Sequence, residues 1–218
     1  LNIYYKLRFL VRSIYIKEAR DHLKWKIVSG KNHNLRKYKK YDLNSESIFF
    51  DIGGFTGEFT DEILKEYNCY SYIFEPLPTY YLDLEKKYIN NKKVKVFNFG
   101  LLDTNSRVFL TEEAESSKIT ENITNLSIEV KDIAEVIDDL GIEKIDLMKI
   151  NIEGSEYKLL DRIVNTDLVN MVGSFQIQYH IEGSDNPEKE RERINNELLK
   201  THINVWSYYF VWERWDRL

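Results

Sequence analysis

Cysteine, methionine, proline and glycine are all scarce in this chain: one, two, three and nine in 218 residues. A lone Cys69 cannot close an internal disulfide, and without a CxxC pair or a Cys/His cluster no zinc site can be read. The chain is therefore expected in a reducing compartment, or is indifferent to redox state. No apolar run approaches the roughly 18 residues that span a bilayer, and no secretory leader is visible. The chain begins at Leu1 rather than Met, which leaves room for a missing upstream segment. Hydrophobic residues make up 43% and aromatics 14%, too much core material for a disordered, collagenous or low-complexity protein. A net charge of -5 argues against a general nucleic-acid binder.

What is present divides unevenly. Residues 1–44 hold twelve Lys/Arg against three acids, a balance of +9, so the remainder carries -14. This split divides the chain into a basic N-terminal helical arm, 1–44, and a single larger domain, 45–218. Such an arm suits an anionic partner, a lipid surface or RNA. It equally suits a basic helix packed on an acidic domain. Within it, residues 3–28 read as helix, with Leu7, Leu10, Val11 and Ile14 in a stripe, and 31–47 as a polar connection.

Strands and helices then alternate. Apolar runs at 48–52, 70–74, 94–99, 145–150 and 172–179 read as strands. Helices follow the first two, with Pro78 opening the second. Residues 106–130 look irregular or made of short strands. Asp132 caps a helix that Gly141 stops, Ser155 opens another, and Asp185-Asn186-Pro187 starts a charged one. The stretch 203–212 is aromatic and β-rich. The pattern predicts an α/β fold, a doubly wound and mostly parallel sheet with an antiparallel edge strand and an extra N-terminal helix. Ligands of such sheets lie beyond the carboxyl ends of the strands, where strand order reverses.

The first such loop reads Asp51-Ile52-Gly53-Gly54-Phe55-Thr56-Gly57. Its glycines permit a tight turn and close ligand approach. The spacing is not G-x-G-x-x-G, so the dinucleotide fingerprint fails. A carboxylate at the strand end suits a ligand with positive charge or N–H donors. Glu75 ends the next strand, 22 residues after Gly53, where nucleoside-binding folds place an acid on the ribose hydroxyls. The plainer alternatives are an ordinary glycine turn and a helix-start acid. Together the two sites describe a nucleoside with a cationic or amino-acid tail, which is S-adenosylmethionine.

These residues, with Phe74-Glu75-Pro76, the segment Ile145-Asp146-Leu147-Met148-Lys149-Ile150-Asn151-Ile152-Glu153-Gly154-Ser155-Glu156 and Gln176-Ile177-Gln178-Tyr179-His180, resemble the FkbM-type S-adenosylmethionine-dependent methyltransferases, a class I (Rossmann-like) subgroup. The resemblance covers about residues 48–182. It implies a cofactor held by Asp51, Gly53, Gly54, Phe55, Thr56, Gly57, Glu75 and Pro76, with Leu77, Asn98, Gly100 and Leu101 around the adenine. The expected acceptor is a sugar or other small-molecule hydroxyl, as in surface-glycan assembly in the cytoplasm. One departure matters. The family usually has Asp where this chain has Asn151, which can orient a group but cannot take a proton. Glu153 and His180 are then the candidate bases, with Asn151 beside them. Glu156 reads as a helix-start acid. Lys149, inside a strand, needs a partner such as Asp51 or Glu75.

Several choices stay open at this point. A methyltransferase fold kept only to bind nucleotides or glycans is the alternative to catalysis. No metal site is expected, although Asn151, Glu153 and His180 could converge on one. The aromatic cluster of Trp206, Tyr208, Tyr209, Trp212 and Trp215 reads as a packed edge, a sugar-stacking platform or a homodimer interface. The arm could seat the enzyme on the inner membrane face.

Overall fold

Aromatic and β-branched residues fill 48–52 and 70–74, and side chains on a strand alternate between its faces. The computed structural model describes residues 40–110, 119–120 and 127–218, and from the arm residues 17, 20, 21, 23 and 24. The two runs are strands β1 (Ile48–Ile52) and β2 (Tyr70–Phe74), parallel and joined through helix α1 (Glu58–Tyr67). Helix α2 (Pro78–Tyr88), with Pro at its first position, leads to β3 (Val94–Phe97). After an insertion come α3 (Ile133–Asp139), β8 (Ile145–Ile150), α4 (Glu156–Val164), β9 (Val172–Ile177) and α5 (Pro187–Leu198). The hairpin β10 (His202–Tyr208) and β11 (Trp212–Arg217) ends the chain.

The main sheet has the order β10-β11-β9-β8-β1-β2-β3. Strands β1, β2, β3, β8 and β9 pair in parallel, and β11 runs against both of its neighbours. The antiparallel edge is thus a hairpin, with β11 one place in from the border. From β1 the chain first builds outward through β2 and β3. It then returns to lay β8 and β9 on the other side. The reversal falls between β1 and β8, and the loops leaving those strands open a crevice there.

The insertion explains the ambiguous stretch 106–130. It forms a second sheet, β4-β7-β5-β6, from β4 (Gly100–Leu102), β5 (Ser106–Leu110), β6 (Ile119–Thr120) and β7 (Ser127–Asp132). Leu101, Leu110, Ile128 and Val130 turn inward from it and join the main core. The cap of α3 is as the sequence predicts, with Asp132 accepting from Ala134 and Glu135 N–H. Glu135 does not close a reciprocal box. Asn105 takes the Asp132 N–H at 2.9 Å and donates to Glu135 at 2.7 Å.

Alternation sorts the core onto two faces. Phe50, Ile52, Met148 and Ile150 face α3, α4 and α5 and pack with Ile133, Leu159, Leu160 and Ile194. Phe49 and Leu147 face the other way, against Ile63 of α1 and Tyr41. Each fully buried side chain of this size contributes about 1.5–3 kcal/mol. Tyr41 therefore packs with the sheet although it stands in a polar, basic stretch. Further back, Asp21 accepts from Tyr209 N–H at 3.1 Å and Lys17 Nζ lies 4.3 Å from the Tyr209 ring. The rest of the predicted helix over 3–28, with its Leu7, Leu10, Val11 and Ile14 stripe, lies outside the described residues, as do 112–118. Among the described residues no helix is long and apolar enough to cross a membrane.

Candidate active site

The glycine loop after β1 needs its glycines for two separate reasons. Gly53 has φ +83°, a left-handed backbone, and a Cβ there would lie 2.0 Å from the Asn151 carbonyl oxygen. A Cβ on Gly54 would lie 2.3 Å from Ile73 Cγ2. The loop is therefore pressed against both β2 and the loop after β8. Beneath it, Asp51 is fully buried. Its Oδ2 accepts from Thr60 Oγ1 at 2.6 Å, and its Oδ1 lies 2.9 Å from Lys149 Nζ. Lys149 also donates to Gly53 O at 2.5 Å. Asp51 is thus the partner the in-strand lysine needs.

Glu75 joins the two loops on this side. Its Oε2 accepts from Phe55 N–H at 2.8 Å and its Oε1 from Leu77 N–H at 2.9 Å. Each oxygen keeps a further lone pair for a ligand hydroxyl. Burial pushes the Glu75 carboxyl above its ordinary pKa, against the pull of those two N–H groups and of Lys149. Asn98 braces the same turn from outside, donating to Glu75 O and Pro76 O at 3.2 and 3.1 Å. The Phe55 and Tyr80 rings meet at 4.5 Å beside the opening.

Across the crevice, the loop after β8 is wound tightly. Glu153 takes a left-handed φ of +51° and Gly154 one of +102°, a conformation a glutamate keeps only where its surroundings hold it. The holding group is Glu156, which is fully buried. It accepts from Ile152 N–H at 2.8 Å, Gly154 N–H at 3.0 Å and His180 Nδ1 at 2.9 Å. His180 Nε2 lies 3.5 Å from Glu153 Oε2, so the imidazole stands between two carboxylates. Burial lowers its pKa, but Glu156, then Glu153 and Glu182, outweigh that and leave it raised.

These walls enclose a cavity of about 460 Å³. One end is Gly53, Gly54, Phe55, Thr56, Glu75, Pro76 and Leu77. The apolar floor comes from the second sheet through Gly100, Leu101, Leu102, Leu110, Ile128 and Val130. Lys149 and Asn151 stand in the middle, beside Gly53, and the far end holds Glu153, Gln176 and Trp212. The Tyr41 hydroxyl donates to Gln176 Oε1, so the amide N–H₂ is the group that Gln176 has left to offer. Among the described residues no three His, Cys, Asp or Glu side chains are grouped to hold a metal ion.

The family model of the methyltransferase FkbM domain matches residues 51–208, which takes in both loops and every cavity-lining residue except Trp212. The chain belongs to the FkbM methyltransferase family. No curated protein shows significant sequence similarity to it. A Clostridium thermocellum protein assigned as an rRNA methylase shares the fold, with TM-score 0.52 and 10% identity over 86% of this chain and 94% of that one. Fibrillarin in complex with Nop5p does so at TM-score 0.51 and 12% identity, over 85% and 79%. A Streptococcus mutans protein assigned as a methyltransferase and solved with S-adenosylhomocysteine aligns at TM-score 0.48 and 12% identity, over 81% and 91%.

Membership makes S-adenosylmethionine the cofactor of this FkbM methyltransferase, and the residues present fit it. Gly53 and Gly54 line the cavity with bare backbone, and Glu75 offers paired acceptors. Asn151 Oδ1 is a buried acceptor with no hydrogen-bond partner on the same wall. Gly53, Gly54, Phe55, Glu75 and Leu77 would hold the nucleoside end.

Most of the expected site residues line the cavity, and four do not. Asp51 lies under the loop, Gly57 serves as the left-handed start of α1, and Asn98 braces the β2 exit. His180 sits behind Glu153 rather than on the wall, because its ring is drawn onto Glu156. Of the two expected bases, Glu153 is the one that faces the cavity. Sequence reasoning missed Tyr80, Leu102, Leu110, Ile128 and Val130, and it quoted Gln176 only within a resembling segment, without a role. Trp212 was noticed only as one aromatic of a cluster. The strand-end rule could have found it: β11 runs backwards, so its first residue lies where the parallel strands end.

Proposed function

We propose that this FkbM methyltransferase transfers the methyl group to a hydroxyl of a sugar or other small molecule, in surface-glycan or related biosynthesis in the cytoplasm. The supporting observation is the far end of the cavity. There a carboxylate, Glu153, faces the cavity from a braced loop, together with a carboxamide and an indole. An indole face suits the C–H face of a sugar ring, and the Gln176 amide suits its hydroxyls. When bound, the cofactor supplies an electrophilic methyl group. The protein's task is to align the hydroxyl and remove its proton. Glu153 accepts that proton on its carboxylate, so Asn151 is not required as a base. His180 and Glu156 fix the loop and keep Glu153 pointed at the acceptor. The apolar floor excludes water that would compete for the methyl group.

The test is incubation with S-adenosylmethionine and a panel of monosaccharides, nucleotide sugars and RNA. Release of S-adenosylhomocysteine and mass gain of one methylene on the acceptor are followed. Methylation of a sugar hydroxyl supports the proposal. Methylation of RNA alone overturns it. Cofactor binding without turnover on any acceptor favours the non-catalytic module, for which the substitution at Asn151 is the motivating observation.

For the basic arm we propose contact with an anionic membrane surface at the inner face. Co-sedimentation with phosphatidylglycerol vesicles at low salt, lost at high salt, supports it. No sedimentation at low salt removes it. The homodimer proposal is tested by the mass of the full chain in solution.

A further inference from the structure

Charge along the cavity wall is lopsided. Its ionisable side chains are Glu58, Glu62, Glu75, Glu153 and Lys149, four carboxylates to one ammonium, and that ammonium is paired with Asp51 beneath. Glu75 serves the nucleoside end, where it accepts from Phe55 and Leu77 N–H. Glu58 and Glu62 stand one turn apart at the start of α1, and with Phe59 they line the cavity. Like charges at this spacing repel and weaken a helix. The helix dipole offsets this for Glu58, in the first turn, but fades before Glu62, so the helix itself gives no reason for the second acid. Helix α1 lies over the sheet face on which Asp51, Lys149 and Gln176 stand side by side across β1, β8 and β9, and Thr60 ties it there through Asp51. Gln176 is 1% exposed. Its Oε1 is taken by the Tyr41 hydroxyl, and its N–H₂, on the cavity wall, has no acceptor among the described residues. A buried donor in that state calls for an oxygen on a ligand.

A concave wall of one sign focuses its field, so this cavity draws in cations and turns away anions. Phe59 adds an aromatic face to the acidic wall, which also favours an ammonium group. A polyamine would match the carboxylates and leave the Gln176 N–H₂ unpaired. A neutral sugar would do the reverse. We propose that the acceptor seat takes an amino sugar, its ammonium drawn to Glu58 and Glu62 and one of its oxygens accepting from Gln176, and that it rejects phosphorylated and carboxylated sugars. The assignment rests on the reading of this cavity as a site of methyl transfer to a sugar hydroxyl, and it narrows the acceptor by charge.

Calorimetry on the full chain saturated with S-adenosylhomocysteine, which blocks turnover, tests this. The probes are glucosamine, galactosamine and mannosamine, the three parent hexoses, and the 6-phosphates of those hexoses, at about pH 6 where the amine is charged. At low salt at least one hexosamine should bind about tenfold more tightly than its parent hexose. That gap should close as salt is raised, and the phosphates should bind no more tightly than the hexoses. Glu58→Gln combined with Glu62→Gln should remove most of the gap and leave the affinity for S-adenosylhomocysteine unchanged. Equal binding of hexosamines and hexoses, tightest binding of a phosphate, a gap that survives the double substitution, or no binding of any hexosamine would each overturn the amino-sugar seat. Turnover with S-adenosylmethionine and the bound hexosamine then tests the underlying reading separately. A methyl group on oxygen supports both. A methyl group on nitrogen, or binding without turnover, keeps the seat and overturns transfer to a hydroxyl.

Discussion

The two halves of the crevice are built on opposite plans. On the β1–β2 side the polar groups are already partnered: Glu75 bridges two backbone N–H groups and Asp51 is held by Thr60 and Lys149. On the β8–β9 side polar groups face the cavity with capacity left over. Asn151 Oδ1 has no partner, and Glu153 is held in a left-handed backbone. The difference teaches a division of labour. A side whose donors and acceptors are fixed is preorganised for one ligand. On the other side the loop held by the buried carboxylate of Glu156 keeps Glu153 for a reacting partner, while Asn151 stays open to the cofactor.

The comparison breaks first at the point where the halves touch. Gly53→Ala puts a methyl group against the Asn151 carbonyl and forces a left-handed alanine, at least about 1–2 kcal/mol from the backbone alone. Both cofactor binding and turnover should disappear, with a clear drop in melting temperature. Intact binding would show that the halves are independent.

Glu153→Gln should cut turnover on the identified acceptor by about 10²–10⁴-fold and leave S-adenosylhomocysteine affinity unchanged. Unchanged turnover would move the base elsewhere. Tyr41→Phe is milder. Removing one hydrogen bond, about 0.5–1.5 kcal/mol, frees Gln176 to turn and should raise the acceptor KM up to about tenfold, with kcat and cofactor affinity unaltered. A matching loss of cofactor affinity would make Tyr41 a packing residue only.

The smallest effect is in pH dependence. The His180 pKa is raised in the folded state, so its contribution to stability is complete below the unfolded value. That contribution is lost as pH rises through the folded one. The melting temperature of wild type relative to His180→Gln should therefore fall as pH rises above the ordinary imidazole value of about 6.5. Parallel curves would mean that the imidazole is not charged between its two glutamates.

The two halves also differed in how far sequence could carry. The nucleoside end was legible because it is local. Glycines at 53, 54 and 57 and an acid ending the next strand keep their meaning without tertiary information, and the parallel strands reduce the topology to a few choices. The acceptor end is non-local. Trp212 reaches it only because β11 runs against the sheet. Leu110, Ile128 and Val130 come from a second sheet whose strands flank a polar stretch. Tyr41 stands among lysines yet plugs the core beneath Gln176. His180 looked like a rim base by strand position. The buried Glu156, 24 residues earlier, turns it away from the cavity.

The division itself can be measured directly by titrating S-adenosylhomocysteine into wild type, Glu75→Ala and Glu153→Gln. Glu75→Ala should bind about 10–100-fold more weakly, having lost the ribose acceptors and the tie between its two loops. Glu153→Gln should bind as wild type does. Undiminished affinity in Glu75→Ala, or an equal loss in Glu153→Gln, would contradict the account.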